Sequence, residues 1–326
     1  MDEAPNSCRE WRHVRAPDFP AAWVTVASRL RAGNRTLVTG AGGFVGANLV
    51  RRLLADGRDV VALVRPGSDA WRLDGVDVEI VEADVREDVP EGFDIVFHLA
   101  AHGAYSWQED EDAIRETNVR GTHNALGAGR RVVVAGSSSE YGPKAHAPSE
   151  DEPLEPNSPY GAAKAEATAF AVARGAVVLR LYSAYGAWED PNRLIPTLLA
   201  RGLTGELPPL VSPRVARDFV HVDDVCESFV RAVDARPGRV YNVGSGRQVT
   251  VQEVVRVVRR LLDIAAEPEW GSMADRRWDT ETWVANPRRI RDELGWEARI
   301  GLEEGLERTL EWLRTEAPQE SYGLPG

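Results

Sequence analysis

The sequence predicts an α/β protein with a doubly wound parallel sheet and a smaller C-terminal α/β lobe. From residue 34 to about residue 182, short apolar runs rich in β-branched residues alternate with helical stretches. The runs are apolar throughout, which is typical of parallel strands that are buried on both faces. After residue 182, proline-containing segments interrupt this order, so we expect a second unit there.

The elements of the first part follow one another as strand and helix. The predicted strands are RTLVTG, DVVALV, VEIVEAD, DIVFHLA, RVVVAGS and AVVLRLY. The predicted helices are FVGANLVRRLLADG, a stretch over about 109–128, and the segment that opens with SPYGAAK. Ligands of a doubly wound sheet bind outside the carboxyl ends of its strands. We therefore expect functional residues directly after the strands.

The chain divides into three predicted parts. Residues 1–33 form an extension without clear periodicity, residues 34–182 form the sheet domain, and residues 183–326 mainly form the second lobe. The last part contains one strand, RVYNVG, and two amphipathic helices, TVQEVVRVVRRLLDI and GLEEGLERTLEWLR. The boundary is soft, and we expect the second lobe to be interleaved with the first.

Charge and composition exclude several classes of function. A formal net charge of -12 argues against a general nucleic-acid binder or a protein of anionic membranes, because both need a basic surface. The two cysteines, Cys8 and Cys226, are too far apart for a disulfide framework or a cysteine zinc site. The six histidines show no ligand-type spacing, so we expect no metal. No apolar run reaches transmembrane length and no signal peptide is evident, which predicts a cytoplasmic protein.

A glycine-rich loop joins the first strand to the first helix in LVTGAGGFVGANLV. Gly40 would allow the tight turn, Gly43 the close approach of a pyrophosphate, and Gly46 the packing of the helix on the strand. The helix N-terminus offers free N–H groups and a positive dipole end, which hold a diphosphate without a basic patch. The loop therefore predicts Rossmann-like binding of a dinucleotide, with Phe44 and Val45 at the start of the helix.

Two further strand ends bear on the identity of the dinucleotide. Val64 stands where an acidic residue often binds the adenosine ribose, and Arg65 follows it, with Ser68 near. An arginine there suits a 2′-phosphate and favours NADP over NAD, unless Arg65 is only a solvated loop residue. Asp84 and Val85 are predicted to end the third strand, where an acid can face the adenine amine or simply close the strand.

Tyr160 and Lys164 lie one helical turn apart, after a helix start at Ser158-Pro159. The chain contains two lysines among 39 basic residues, so a lysine is retained here where arginine is otherwise the rule. An adjacent ammonium would lower the pKa of a phenol, which is otherwise near 10. A chance Tyr-x-x-x-Lys pair is expected in only about 4% of such sequences. The pair is therefore predicted to be catalytic.

A serine cluster follows the fifth strand in VVVAGSSSEYG. Ser137 and Ser138 are small hydroxyl donors at the edge of the sheet where ligands bind, so they are candidates to share a proton with Tyr160. Serine clusters are also common turn formers, and that alternative stays open.

These motifs resemble the extended short-chain dehydrogenase/reductases of the NAD-dependent epimerase/dehydratase family, which mostly act on nucleotide sugars. The resemblance covers about residues 35–315 and rests on TGAGGFVG, ADV, FHLAA, TNVRGTHNAL, SSSEYG, PYGAAK, RDFVHVDDV, YNVG and LGW. It implies hydride transfer to or from nicotinamide, with Tyr160 as general acid/base and Lys164 tuning it and holding ribose. It also implies Ser137 as the third member, four residues before Tyr141.

The same resemblance implies further site residues and a homodimer. Asn118 would brace the active site, Arg217 would hold the substrate diphosphate, and Arg277 or Arg276 would be a second phosphate clamp. The homodimer would form through the helices near 109–128 and 159–174. The residues assigned to the cofactor are Gly40, Gly43, Phe44, Val45, Gly46, Arg65, Ser68, Asp84, Val85, Leu99, Ala100, Ala101, Tyr160 and Lys164, and those assigned to the substrate are Ser183, Arg193, Arg217 and Arg277.

Departures from the family pattern bear on the reaction. Ser138 and Ser139 occupy the places of the dehydratase acid and Glu140 is one position off, which disfavours a 4,6-dehydratase. Ser183 replaces an asparagine that contacts the substrate phosphates in many members. We therefore expect an NADPH-dependent reductase of an NDP-4-keto-(6-deoxy)hexose, with an NAD-dependent nucleotide-sugar C-4 epimerase as the alternative. A non-catalytic dinucleotide sensor is a third reading, which the intact Tyr–Lys pair disfavours.

Overall fold

A computed structural model describes residues 34–105, 107–273 and 279–324. The predicted extension over 1–33 lies outside these residues. The strands are β1 (Arg35–Thr39), β2 (Asp59–Val64), β3 (Glu79–Glu82), β4 (Phe93–His98), β5 (Gly129–Ser137), β6 (Val177–Leu181), β7 (Ser183–Tyr185), β8 (Ala216–Arg217), β9 (Phe219–His221), β10 (Val240–Val243) and β11 (Val249–Thr250). The α-helices are α1 (Phe44–Ala55), α2 (Glu111–Arg115), α3 (Gly121–Ala125), α4 (Pro159–Ala173), α5 (Leu194–Gly202), α6 (Val222–Ala232), α7 (Val251–Leu261), α8 (Arg288–Leu294), α9 (Leu302–Thr315) and α10 (Gln319–Tyr322).

The central sheet is parallel and has the strand order β10-β6-β5-β4-β1-β2-β3. The chain moves outward from β1 through β2 and β3, then restarts on the other side of β1 at β4. This reversal places the switch point between β1 and β4, where doubly wound folds bind their ligands. The predicted fold class is confirmed, including all six strands of the first part and the later strand β10.

Helices cover both faces of the sheet. On one face, apolar side chains of α1 and α6 pack on the strands, and Phe97 meets Phe229 at a ring distance of 6.1 Å. On the other face, Ala171 of α4 joins Val134 and Val178 in a second apolar cluster. Both faces of the inner strands are therefore removed from water, which explains their continuously apolar sequences, whereas the edge strand β3 is largely exposed.

The second lobe has its own apolar core. It is formed by residues of α5, α7 and α9, including Leu198, Val254 and Leu310. Two short sheets, β7 with β9 and β8 with β11, connect this core to the central sheet. One later strand, β10, pairs in parallel with β6 at the edge of the central sheet. The division of the chain into domains stays a prediction, with this strand as the point where the two units interleave.

Within the described part of the chain, no helix combines the length and the apolar character that a bilayer span requires. The same residues contain no group of three or more His, Cys, Asp or Glu side chains that could hold a metal ion.

Candidate active site

The glycine loop lies at the switch point and is shaped by close backbone contacts. Gly40 has a φ of +67°, and a Cβ there would lie 2.6 Å from the amide nitrogen of Ala100, just after β4. A Cβ on Gly46 would lie 2.1 Å from the carbonyl oxygen of Gly40. These two positions require glycine, because any side chain would force β1, α1 and the β4 end apart.

Gly43 leaves the outer side of the loop open. A Cβ on this residue would meet only the Gly40 carbonyl oxygen within 4 Å. Gly43 is also the N-cap of α1, and no side chain caps the helix there. The first N–H groups of α1, on Phe44 and Val45, are therefore available to an anion, which fits the pyrophosphate of a dinucleotide.

The residues predicted to contact adenosine follow β2 and β3. Arg65 is exposed directly after β2, and the Ser68 hydroxyl donates to its carbonyl oxygen at 2.6 Å. The third strand ends at Glu82, so Asp84 and Val85 lie in the following turn rather than in the strand. Arg86 donates to both carboxylate oxygens of Asp84 and lowers its pKa.

Val85, which follows Asp84, and the residues that follow β4 lie between the glycine loop and the helices. Val85 is buried and would contact a Cβ on Gly121, so it serves as packing under α3. Leu99 donates its amide to the Thr39 carbonyl oxygen, which places Leu99, Ala100 and Ala101 alongside the glycine loop.

Tyr160, Ser137 and Lys164 meet at the carboxyl end of β5. Ser158 caps α4 by accepting the Gly161 amide at 3.1 Å, and Pro159 starts the helix, so Tyr160 lies in the first turn. The Ser137 hydroxyl lies close enough to Tyr160 to lower the pKa of the phenol. Lys164 is buried one turn later and its ammonium donates to the carbonyl oxygen of Ala135, two residues before Ser137.

The protonation tendencies of this group differ from the prediction in one respect. Burial raises the pKa of Tyr160 to about 12, and the neighbouring Ser137 hydroxyl only partly opposes this. The expected lowering by Lys164 is therefore not found. Burial also lowers the pKa of Lys164 to about 8, while the charge of Glu140 opposes the decrease. The protein thus favours a protonated tyrosine, which can donate a proton to an oxygen, beside a lysine that titrates near neutrality.

Ser138 lies beside this group and faces the second lobe. Its hydroxyl accepts a hydrogen bond from the indole nitrogen of Trp283 at 3.2 Å. The two residues border a small pocket that also includes Tyr182 and Thr282. Ser138 therefore faces Trp283 of the second lobe, whereas the Ser137 hydroxyl lies near Tyr160.

Asn118 braces the loop after β4. It lies on a π-helical turn, Glu116–Arg120, between α2 and α3. Its amide nitrogen donates to the carbonyl oxygens of His102 and Ile114, both at 2.7 Å. Its side-chain oxygen is buried and has no partner in the structure. Such π-turns are frequent at functional sites, and an orphaned buried acceptor fits a site that receives a ligand group or a water.

Glu140 has a different place from that of a dehydratase acid. It is fully buried and its carboxylate accepts from the Arg180 guanidinium at 2.7 Å and from the Thr168 hydroxyl at 3.0 Å. The amide of Ser137 donates to the same carboxylate at 2.8 Å. Both oxygens are thus occupied beneath the serine, and Glu140 cannot reach a leaving hydroxyl.

Ser183 and Arg217 are brought together by the second lobe. The pairing of β7 with β9 aligns Ser183 with Phe219, and the Ser183 amide donates to the Asp218 carbonyl oxygen at 3.0 Å. Arg217 donates to the carboxylate of Asp279 at 3.0 Å, and its guanidinium lies 5.8 Å from the ring centre of Trp283. Arg217 is therefore held in a fixed orientation near the residue that contacts Ser138.

The remaining predicted substrate residues are less closely connected. Arg193 is half exposed at the start of α5, 3.6 Å from the carboxylate of Glu189. Its positive charge slightly lowers the pKa of Tyr160. Arg276 and Arg277 lie outside the described residues.

Two residues of this region had no role assigned from the sequence, and a third, Glu140, was considered only as a dehydratase acid. Asp279 and Trp283 orient Arg217 and Ser138, and Glu140 supports Ser137. Asp279 and Trp283 are separated from their partners by 62 and 145 positions, so no local pattern could have indicated them. The partner of Glu140, Arg180, is 40 positions away on β6, so no local pattern indicated this pair either.

The family model described as NAD dependent epimerase/dehydratase family matches residues 36–244. The chain belongs to this family. It is 33% identical to a UDP-glucose 4-epimerase of Mycolicibacterium smegmatis, over 87% of this chain and 99% of that protein. It is 35% identical to a dTDP-glucose 4,6-dehydratase of Streptomyces griseus, over 85% of this chain and 93% of that protein.

Solved structures give the same relationship. A UDP-glucose 4-epimerase of Thermotoga maritima, determined with UDP-glucose, matches with a TM-score of 0.78 at 26% identity, covering 86% of this chain and 98% of that one. MoeE5 in complex with UDP-glucuronic acid and NAD matches with a TM-score of 0.77 at 32% identity, covering 87% and 100%. This protein is thus an enzyme of the extended short-chain dehydrogenase/reductase class, in an NAD(P)-dependent family that acts on nucleotide sugars.

Proposed function

We propose that this enzyme oxidises and reduces carbon 4 of a nucleotide sugar, with Tyr160 as the acid/base. The observation that carries this proposal is the position of Ser137 at the carboxyl end of β5, close enough to Tyr160 to influence its pKa, with Lys164 buried and bound to Ala135 of the same strand. Tyr160 would exchange a proton with the sugar oxygen, and Ser137 would align that oxygen by sharing the hydrogen bond. Lys164 would supply positive charge to the tyrosine as the proton leaves.

A nicotinamide dinucleotide would supply the hydride acceptor and donor. The residues of the glycine loop fit this cofactor. Close backbone contacts at Gly40 and Gly46 hold the loop against the end of β4 and the start of α1, whereas Gly43 leaves the outer side of the loop open. The uncapped N-terminus of α1 would bind the diphosphate. On the substrate side, Arg217 and Ser183 would bind the sugar diphosphate, and Arg193 would contact the substrate as well. Asn118 would receive its missing partner from a bound group or a water.

The net reaction is proposed to be epimerisation, with the cofactor retained between the two half-reactions. The support is the similarity to proteins described as UDP-glucose 4-epimerases, at 33% identity and at a TM-score of 0.78. Dehydration is disfavoured despite the similarity to dehydratases, because Ser138 and Ser139 are not acids and Glu140 is bound to Arg180.

Reduction of a 4-keto sugar is the second candidate. The exposed Arg65 after β2 supports this reading, since a guanidinium there would bind the 2′-phosphate of NADPH, the usual donor in net reductions. The preference for NADP therefore stays a prediction, set against NAD in the matched structure of MoeE5.

A sugar deuterated at carbon 4 distinguishes these reactions. The purified enzyme is incubated with UDP- and dTDP-hexoses deuterated at carbon 4 and, in a separate reaction, with an unlabelled NDP-4-keto-6-deoxyhexose and NADPH or NADH, and the products are analysed by NMR. An epimer that retains its deuterium, with no net use of NADH or NADPH, supports epimerisation. Stoichiometric consumption of NADPH with a 4-keto sugar supports the reductase. Activity unaffected by Tyr160→Phe would contradict both.

A homodimer remains a prediction for this chain. Val119, His123 and Phe170 line an open groove between the helices Glu111–Ala125 and α4, and His123 stacks on Phe170 at 4.9 Å. We expect a second copy of the chain to cover this groove. Light scattering should give twice the mass of 35.8 kDa, and Phe170→Glu should reduce it to the mass of one chain.

A further inference from the structure

A network of buried polar groups lies beneath the Tyr160–Ser137 pair and is not used by the chemistry proposed above. Glu140 binds Arg180, and the Arg180 guanidinium also donates to the Tyr141 hydroxyl at 2.8 Å. The Tyr141 hydroxyl in turn donates to the side-chain oxygen of Asn242 at 2.7 Å. The backbone amide of Asn242 donates to the Glu150 carboxylate at 2.9 Å. The network connects the turn after β5 to β6 and β10.

Glu140 is the member of this network that contacts the end of β5. It completes a capping box, in which its carboxylate accepts the Ser137 amide while the Ser137 hydroxyl accepts the Ser139 amide at 3.1 Å. The backbone makes room for this arrangement. A Cβ on Gly136 would lie 2.8 Å from the Glu140 carboxylate and 3.3 Å from the Arg180 side chain. Glycine is therefore needed at 136 for the carboxylate to reach the serine.

Lys164 is bound to the same short stretch of β5. Its ammonium donates to the Ala135 carbonyl oxygen, and the Glu140 carboxylate accepts the Ser137 amide two residues further on. Thr168, one turn after Lys164 on α4, also donates to Glu140. The ammonium and the carboxylate thus lie on the same side of α4, both removed from water, where charges interact strongly.

The other groups around Lys164 do not replace this charge. His98 approaches from β4, and it is held between the hydroxyls of Thr39 and Thr122. Burial lowers the pKa of His98 to about 3, so it is neutral. Tyr160, on the same helix, favours its neutral form. Arg180 lies beyond Glu140 on β6 and is positive, so Glu140 alone offers Lys164 a negative partner among the groups that the structure places around it.

We propose that Glu140 is a positioning residue of the active site, which fixes the backbone of Ser137 and supplies the buried negative charge that keeps Lys164 an ammonium. Its catalytic meaning rests on the proposed function. The placement of charge can be tested without activity, because the chain contains only two lysines, Lys144 and Lys164.

The experiment is an NMR titration of the full chain labelled with ¹³Cε-lysine. Lys144→Arg assigns the two signals, since it leaves Lys164 as the only lysine. In the wild type we expect Lys164 to titrate near pH 8. In Glu140→Gln its pKa should fall by about one unit or more, because an opposite charge at short range is removed. A wild-type Lys164 pKa of about 5–6, typical of an uncompensated buried lysine, would overturn the proposal.

Glu150→Gln is the matched control. Glu150 is a buried carboxylate of the same network and accepts the Asn242 amide, but it does not contact Ser137 or Thr168 in the structure. Its replacement should move the Lys164 pKa by no more than about 0.3 unit. Equal shifts in the two variants, or no shift in Glu140→Gln, would contradict a specific role for Glu140.

Two further variants test the same proposal if the Glu140→Gln protein does not fold. Glu140→Asp keeps the charge and should keep Lys164 within about half a unit of the wild type. Arg180→Met removes the competing cation and should raise the Lys164 pKa. Failure of both expectations would overturn the proposal.

Activity then links the placement to the chemistry. The alkaline limb of the kcat profile should move to lower pH in Glu140→Gln by the same amount as the NMR titration. A shifted NMR titration in a protein that is inactive on every nucleotide sugar would leave the positioning role intact and contradict the proposed function instead.

Discussion

The cofactor half and the substrate half of the site are built in different ways. In the cofactor half, the glycine loop and the residues after β2 and β4 follow strand ends, and the loop contacts depend on the regular order of β1, α1 and β4. In the substrate half, Arg217 depends on Asp279, and Ser138 depends on Trp283. A site whose contacts follow from topology can be read from spacing, whereas one formed by distant loops requires the folded chain.

The largest effect is expected at the point where the two halves meet. Lys164→Ala should reduce kcat by about 10²–10⁴-fold, because the proton exchange of Tyr160 loses its buried positive charge. Arg35→Ala is the control, since Arg35 is an exposed cation that pairs with Glu79 at the start of β1, away from the carboxyl ends of the strands. Steady-state rates on the same sugar compare the two. Equal losses would mean that Lys164 has no special role.

Adding a single methyl group to the glycine loop should disrupt the cofactor half. Gly46→Ala places a Cβ 2.1 Å from the Gly40 carbonyl oxygen, so we expect a loss of about 1–3 kcal/mol in the free energy of unfolding and much weaker cofactor binding. Gly42→Ala, in the same loop, meets only ordinary contacts at 3.5 Å and should change stability by less than about 1 kcal/mol. Thermal melts with and without cofactor compare the variants, and a tolerant Gly46→Ala would refute the close packing of loop and helix.

The substrate half should respond in affinity rather than in rate. Arg217→Ala is expected to raise KM about 10–100-fold with kcat nearly unchanged, because a guanidinium that binds the sugar diphosphate is removed. Asp279→Asn should have a smaller effect of the same kind, since it only loosens the orientation of Arg217. A change in kcat with KM unaltered would place Arg217 in the chemical step instead.

The smallest effect concerns the choice of cofactor. Arg65→Ala should weaken NADPH binding about 10-fold and leave NADH binding unchanged, if the guanidinium binds the 2′-phosphate. Isothermal titration with each cofactor measures the ratio. An unchanged NADPH affinity would make Arg65 a surface charge and favour NAD.

Much of this molecule was predictable because the cofactor half repeats one simple unit. The strands, the glycine loop and the Tyr160–Lys164 spacing all depend on local periodicity, and the structure confirms the fold that they indicate. The specific motif RDFVHVDDV was assigned to substrate binding through Arg217, yet much of it serves the fold. Asp218 accepts the amides of Ser245, Gly246 and Ala285, and Asp224 accepts those of Arg299 and Ile300.

What the sequence did not show, at Tyr160 and at Glu140, has a shared physical cause. The pKa of Tyr160 was expected to fall because Lys164 is nearby, but burial of the phenol has the larger effect. Glu140 was expected to be out of position for a dehydratase acid, and its bond to the distant Arg180 adds a physical reason that the sequence did not show. Burial and long-range pairing follow from the packed chain and leave no trace in the spacing of residues.

Hydride transfer itself tests the central claim most directly. The enzyme is loaded with oxidised cofactor, mixed rapidly with a nucleotide sugar that it binds, and the absorbance of reduced nicotinamide is followed in the wild type and in Tyr160→Phe. We predict a transient reduction in the wild type that is at least about 100-fold slower in the variant, at equal cofactor affinity. Reduction at the same rate in both proteins would show that Tyr160 is not the acid/base and would contradict the account.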